Sequence, residues 1–77
     1  MYITVKYFGQ IAEVTNKDEE TIKVPGEQVS DLLEVLNNKY DQLKNKDFQI
    51  AQNQELVALE TELTGLEIAL LPPFAGG

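Results

Sequence analysis

The sequence predicts a two-layer α+β domain, a mixed sheet with one main helix packed on one face. Two observations lead there. Residues 29–40 carry one apolar stripe at helical spacing. On either side lie short segments in which apolar and polar residues alternate, the period-two signature of half-buried strands. A chain of 77 residues has room for one domain. A single amphipathic helix must then bury its stripe against the sheet.

Residues 2–8 read Tyr-Ile-Thr-Val-Lys-Tyr-Phe. Ile3, Val5 and Tyr7 alternate with Thr4 and Lys6, which makes this a strand with one wet face. Gly9 ends it. Ile11 and Val14 are spaced by three, which allows a helical turn. Asn16 to Glu20 is a polar break, and Thr21-Ile22-Lys23-Val24 alternates again until Pro25-Gly26 stops it. Two strands joined by a loop are most simply a β-hairpin, with Asp18-Glu19-Glu20 as its solvated tip.

Val29, Leu32, Leu33, Leu36 and Tyr40 fall at i, i+3, i+4, i+7 and i+11, one face of a helix. Glu27, Ser30, Asp31 and Glu34 place oxygen and negative charge at its N-terminal end, where the helix dipole favours them. Two caps compete: Ser30 is the better cap residue, while Gln28 with Asp31 three positions on mimics a capping box.

Asp41 to Asp47 is polar, with Leu43 as an anchor. Phe48 to Ala51 alternates as a strand, residues 53–55 form a hairpin turn, and Leu56-Val57-Ala58 is a second short strand. Residues 61–65 form another turn. Leu66 to Leu71 is the most apolar strand, and Pro72-Pro73 ends it because proline cannot donate to a ladder.

Composition restricts the chemistry. The chain has no Cys, His, Trp or Arg; its six cations are all Lys, against thirteen carboxylates, for a net charge of −7. Thiol nucleophiles, Ser-His triads, imidazole acid–base work and Cys/His zinc sites are excluded. Net negative charge argues against nucleic acid and against anionic membranes. No apolar run reaches the roughly 20 residues of a membrane span, and the N-terminus lacks the basic-then-apolar pattern of a signal peptide. A cytoplasmic protein is therefore expected. No calcium-loop pattern gathers the carboxylates, so Glu60, Glu62 and Glu67 read as a solvated face and no metal site is expected. The lysines at 39, 44 and 46 read as a small basic patch after the helix.

The C-terminal segment stands apart. Residues 68–77, Ile-Ala-Leu-Leu-Pro-Pro-Phe-Ala-Gly-Gly, contain no charged side chain in a protein that is 25% charged. Pro72-Pro73 favours extended polyproline geometry. Pro72, Pro73, Phe74, Ala75, Gly76 and Gly77 together span at most roughly 20 Å. The prolines reduce the cost of ordering the segment, and the glycines let backbone enter a channel too narrow for a Cβ. Residues 1–71 therefore read as the domain and 72–77 as a tail that inserts into a partner. Phe8 alternates with Tyr7 and should face away from the helix; Phe8 and Leu71 are the candidate interface residues.

A chain of this size and element order ending in Pro-Pro-Phe-Ala-Gly-Gly resembles the small, sulfur-carrier subunit of molybdopterin synthase, the MoaD type of ubiquitin-like β-grasp protein. The resemblance covers essentially the whole chain. Tyr7-Phe8-Gly9-Gln10 is similar to that family's Phe-Phe-Ala-Gln segment closing the first strand, and Val29-Ser30-Asp31-Leu32-Leu33 to its helix start. Asn53-Gln54 before Leu56-Val57 is similar to its hairpin, with Gln52 standing where an apolar residue is usual. Leu66 to Pro73 is similar to its Asp-Glu-Val-Ala-Phe-Phe-Pro-Pro stretch, after a turn at Leu63-Thr64-Gly65 that is shorter than the family's.

The resemblance implies that the Gly77 carboxylate is adenylated by a MoeB-type partner using ATP and Mg²⁺, then converted to a thiocarboxylate. The tail would insert into a MoaE-type large subunit of a heterotetramer and give its sulfur to cyclic pyranopterin monophosphate. This chain itself would bind no cofactor and supply no catalytic residue. A di-glycine end is shared by ubiquitin and by thiamin sulfur carriers. A related carrier for thiamin or another pathway, and a plain interaction domain, therefore remain alternatives.

Overall fold

The computed structural model describes residues 1–64 and 67–73. In chain order the elements are β1 (Tyr2–Tyr7), α1 (Gln10–Thr15), β2 (Glu19–Lys23), α2 (Val29–Lys39), a 3₁₀ turn (Asp41–Asn45), β3 (Gln49–Gln52), β4 (Glu55–Leu56) and β5 (Glu67–Leu71). The strands form one mixed sheet in the order β2-β1-β5-β3-β4. The strand last in sequence is thus central. It runs parallel to β1, with Val5 beside Ile68 and Tyr7 beside Leu70, and antiparallel to β3, with Ile50 beside Leu70.

One face of the sheet is covered. Ile3, Val5, Tyr7, Ile22, Ile50, Ile68 and Leu70 join Val29, Leu32 and Leu36 of α2 in a single buried core, with Leu33 and Tyr40 packed at its margin. The predicted helical stripe is therefore the buried one. Leu43, the predicted anchor, is buried in the 3₁₀ turn.

Gln28 is the cap. Its backbone is extended, and the Asp31 carboxylate accepts the backbone N–H groups of Glu27 (3.1 Å) and Gln28 (3.0 Å). Free N–H groups of the first helical turn need acceptors. Thr61 O accepts from Val29 (2.9 Å) and Leu59 O from Ser30 (2.9 Å). Residues about thirty positions downstream thereby supply acceptors to the first turn of the helix. Gly26 leaves room for Asp31, since a Cβ there would lie 2.2 Å from its Cγ.

β1 and β2 pair antiparallel as expected, from Tyr2–Lys23 to Lys6–Glu19. Their connection is not a simple hairpin turn, because α1 occupies it and buries Ile11. In the β3–β4 hairpin, Asn53 and Gln54 both take positive φ (54° and 71°), the pattern of a type I′ turn whose twist matches that of paired strands. β4 is confined to Glu55–Leu56 and β3 begins at Gln49.

Glu20 corrects the expectation of a solvated tip. Its side chain is only 10% exposed. The carboxylate accepts from Tyr7 Oη (2.6 Å), from Tyr40 Oη, from Lys39 Nζ (2.7 Å) and from Lys17 Nζ (3.2 Å). This ties β1, β2 and the C-terminal end of α2 together, and it takes Lys39 out of the expected basic patch. The Tyr7 and Tyr40 rings meet edge to face at 6.3 Å. Burial alone would raise the Glu20 pKa. The donors outweigh it, Lys39 first, then the two tyrosines and Lys17, and lower it from 4.5 to about 2. Burial, followed by the hydrogen bond to Glu20, pushes the Tyr7 hydroxyl well above its usual range and raises that of Tyr40 as well.

Gln52 is buried where the resembling family is apolar. Its amide donates to Glu62 O (3.0 Å) and accepts from Thr64 N–H (3.0 Å), which pins residues 62–64 to β3. Among the described residues no buried side-chain polar atom lacks a partner.

Two outcomes follow for stability. Glu20 is ionised at neutral pH in both folded and unfolded chains, and its native pKa is depressed. The unfolded chain takes up the proton first as pH falls, so stability held above about pH 5 declines between the unfolded value and about 2. Glu20→Gln should destabilise the domain at pH 7 by about 1–3 kcal/mol and flatten that acid limb in pH-dependent denaturant melts. Gln52→Leu strands the Thr64 N–H and should cost about 1–3 kcal/mol in urea denaturation.

Candidate functional site: the end of β5 and the open face of the sheet

β5 is held by β1 up to Leu70 and by β3 up to Leu71, its last residue. Phe8 N–H donates to Leu70 O (3.2 Å) beyond the end of β1, and Leu71 pairs with Gln49 of β3. Pro72 and Pro73 follow, exposed. With no N–H to donate, they cannot continue the ladder. The chain therefore leaves the middle of the sheet, not an edge.

The face opposite α2 is open beside this exit. Alternation along β1 and β5 turns Lys6, Phe8, Glu67, Ala69 and Leu71 to this side, while Tyr7, Ile68 and Leu70 point into the core. With Ala51, Asn53, Gln54 and Leu56 they line a shallow depression of about 460 Å³. Phe8 is 44% exposed and Leu56 61% exposed. Lys6 Nζ lies 3.3 Å from Glu67 Oε1, an exposed ion pair of the kind that contributes little to stability. The surface is apolar at its centre and charged at one margin, which suits docking of a protein partner.

The two predicted interface residues thus lie on one surface: Phe8 faces away from the helix, and Leu71 is half-buried beside it. Pro72 and Pro73 adjoin them. Phe74, Ala75, Gly76 and Gly77 lie outside the described residues. Leu56 and Ala69 share the patch without having been singled out from sequence. Strand alternation from Leu71 points to Ala69, whereas Leu56 needs the Ala51–Leu56 pairing of the hairpin. Among the described residues no cluster of three or more His, Cys, Asp or Glu could hold a metal ion, and no helix is long and apolar enough to cross a membrane. The geometry can present a chain segment and an apolar surface together.

The profile of the ThiS family matches residues 5–77. The chain belongs to the ThiS family. It is similar to a Pyrococcus furiosus protein assigned as molybdopterin converting factor subunit 1. The identity is 28%, the TM-score 0.89, and the match covers 96% of this chain and 99% of that one. It is similar to small archaeal modifier protein 1 from Methanosarcina acetivorans, with 29% identity, TM-score 0.81, and 99% and 96% of the two chains covered. A third likeness is to the complex of subunits 1 and 2 of the molybdopterin-converting factor from Helicobacter pylori, at 32% identity and TM-score 0.72, with both chains fully covered. The five-stranded mixed sheet with α2 across one face is the ubiquitin-like β-grasp fold. The protein is a ubiquitin-like sulfur carrier of the ThiS/MoaD type.

The two faces of β5 should respond differently to truncation. Phe8→Ala removes a half-exposed ring and should cost under about 1 kcal/mol. Ile68→Ala opens a cavity in the fully buried layer under α2 and should cost about 2–5 kcal/mol, both read from urea denaturation.

Proposed function

We propose that this ThiS-family chain is the sulfur-carrier subunit of a molybdopterin synthase, with Gly77 as its reactive residue. The observation that carries this reading is the continuity of the central strand with Pro72-Pro73 and the uncharged Phe74-Ala75-Gly76-Gly77, beside an exposed apolar face. The likeness to molybdopterin converting factor structures supports it.

A carboxylate is a poor electrophile. In the proposed sequence the Gly77 carboxylate attacks the α-phosphorus of ATP, held with Mg²⁺ by a MoeB-type adenylating enzyme. Pyrophosphate leaves. A sulfur nucleophile then displaces AMP, and the C-terminus becomes a thiocarboxylate. Residues 72–77 next enter a MoaE-type large subunit, where the thiocarboxylate sulfur bonds to cyclic pyranopterin monophosphate and water cleaves the acyl–sulfur bond, leaving the sulfur on the pterin and regenerating the carboxylate. ATP, Mg²⁺ and the acid–base groups belong to the partners. This chain contributes the tail and the docking surface formed by Phe8, Leu71 and their neighbours. Without cysteine the chain offers no thiol on which sulfur could be carried, which supports a carboxyl-borne sulfur. Its net charge of −7 also favours encounter with partners that bind nucleotide and pterin phosphates through cationic surfaces.

The test is intact mass spectrometry after incubation with the adenylating enzyme, ATP and a sulfur donor. Replacement of one oxygen by one sulfur is expected, and it should vanish when Gly77 is deleted or one residue is added after it. Gly76→Ala should slow the transfer without changing the melting temperature. A thiazole synthase as the co-purifying partner would instead assign the chain to thiamin synthesis. Unimpaired function of the extended chain would leave a plain interaction domain.

A further inference from the structure

Gly9 sits where β1 ends and the tail departs. Its backbone angles, φ +57° and ψ −132°, lie in a region that L-residues with a Cβ rarely enter. Phe8 O accepts Ile11 N–H (3.1 Å) across it, so residues 8–11 form a tight turn with Gly9 at its first corner. That corner matches the position of a type II′ turn where glycine is required. The turn also starts α1, since Gly9 O accepts Ala12 N–H (3.1 Å).

The turn alone does not explain the empty volume above it. A Cβ on Gly9 would lie 2.8 Å from Pro72 Cγ, with the ring's Cβ and Cδ at 3.8 and 3.9 Å. The Pro72 ring therefore packs on the bare face of Gly9. One residue before Gly9 and two before Pro72, Phe8 N–H donates to Leu70 O. Phe8, Gly9, Leu70 and Pro72 make a corner in which the last ladder bond is followed at once by a ring seated on a glycine. A proline ring has a fixed φ and so transmits its own orientation to the peptide that follows. In this chain an alanine at this step requires both a different turn and a displaced ring.

We infer that Gly9 is a positioning residue for the carrier reaction: it seats the Pro72 ring and so sets the direction in which the chain leaves the sheet at Pro73. This rests on the carrier reading proposed above. In the carrier reading residues 74–77 continue from this step, so a displaced Pro72 displaces their starting point. Displacements on the order of 1 Å at a reacting group can reduce rates by as much as about a hundred-fold.

The experiment has two arms. In the first, ATP–pyrophosphate exchange by the adenylating enzyme is measured for the wild type, Gly9→Ala, Pro72→Ala and the double variant. Each single change should lower kcat/KM by about ten-fold, and the double should fall no further, because both remove one contact. Pro72 is exposed at the end of the sheet, so Pro72→Ala should retain the wild-type Tm. This keeps the test valid even if Gly9→Ala folds poorly. Multiplicative losses, or an unaffected Pro72→Ala, would overturn the proposal.

The second arm needs no enzyme. The chain has no native cysteine, so a spin label on Glu13→Cys is unique. Its broadening of the amide signals of residues 74–77 should change in both Gly9→Ala and Pro72→Ala; an unchanged profile would refute the seat. If the wild type is not adenylated at all yet the broadening depends on Gly9, the seat stands and the carrier reading fails.

Discussion

The parallel pairing of β1 with β5 is the constraint on which this molecule depends. It puts the strand last in sequence at the centre of the sheet, flanked by β1 and β3. A parallel neighbour cannot be joined by a tight turn, so the chain between them must cross over. Here that crossover carries α2, whose apolar stripe covers one face of the sheet. Burial of Ile68 and Leu70 follows from the same placement. So does the hydrogen bonding of β5 on both sides, to β1 up to Leu70 and to β3 up to Leu71. A tail that began on an edge strand would lack one of those two supports.

The polar interactions reinforce the same corner. Tyr7, the last residue of β1, pairs with Leu70 and donates its hydroxyl to Glu20. Glu20 in turn holds Tyr40 and Lys39 at the far end of α2. The largely buried carboxylate is thus satisfied by two hydroxyls and two ammonium groups, and it fastens three elements around the strand ends from which Pro72 departs. Gln52 acts similarly on the other side of β5, where its amide joins β3 to residues 62–64. In a chain this small the apolar core is limited, and such fully satisfied polar clamps fix the relative placement of strands that burial alone specifies loosely.

Under the proposed function the protein's chemistry lies in its backbone. A carboxyl group that is activated and sulfurated by partners needs no neighbouring acid, base or metal ligand on its own chain. It needs direction, reach and a surface by which partners recognise the body that carries it. The open face supplies that surface beside the exit. Its apolar residues come from β3, β4, β5 and Phe8 just beyond β1, so it exists only once those strands are paired.

Much of this was legible in the sequence. The α2 stripe, the strand alternation around residues 2–8 and 66–71, the anchor Leu43 and the outward side of Phe8 all follow from spacing, because each depends on residues near one another in the chain. The exclusion of thiol, imidazole and zinc chemistry follows from composition alone. Other features were decided by tertiary structure. The Gln28 cap prevailed over Ser30 because the carbonyls of Leu59 and Thr61 came to lie against the helix start. Glu20 left solvent because Tyr7 of β1 and Lys39 and Tyr40 at the end of α2 converged on it. Leu56 joined the open face through its pairing with Ala51, and Gly9 met Pro72 across more than sixty intervening residues. The sequence by itself determined which segments form which elements and which chemistry is unavailable. The tertiary structure decided which strand lies in the middle and what each polar group meets, since those depend on contacts between residues that no local pattern relates.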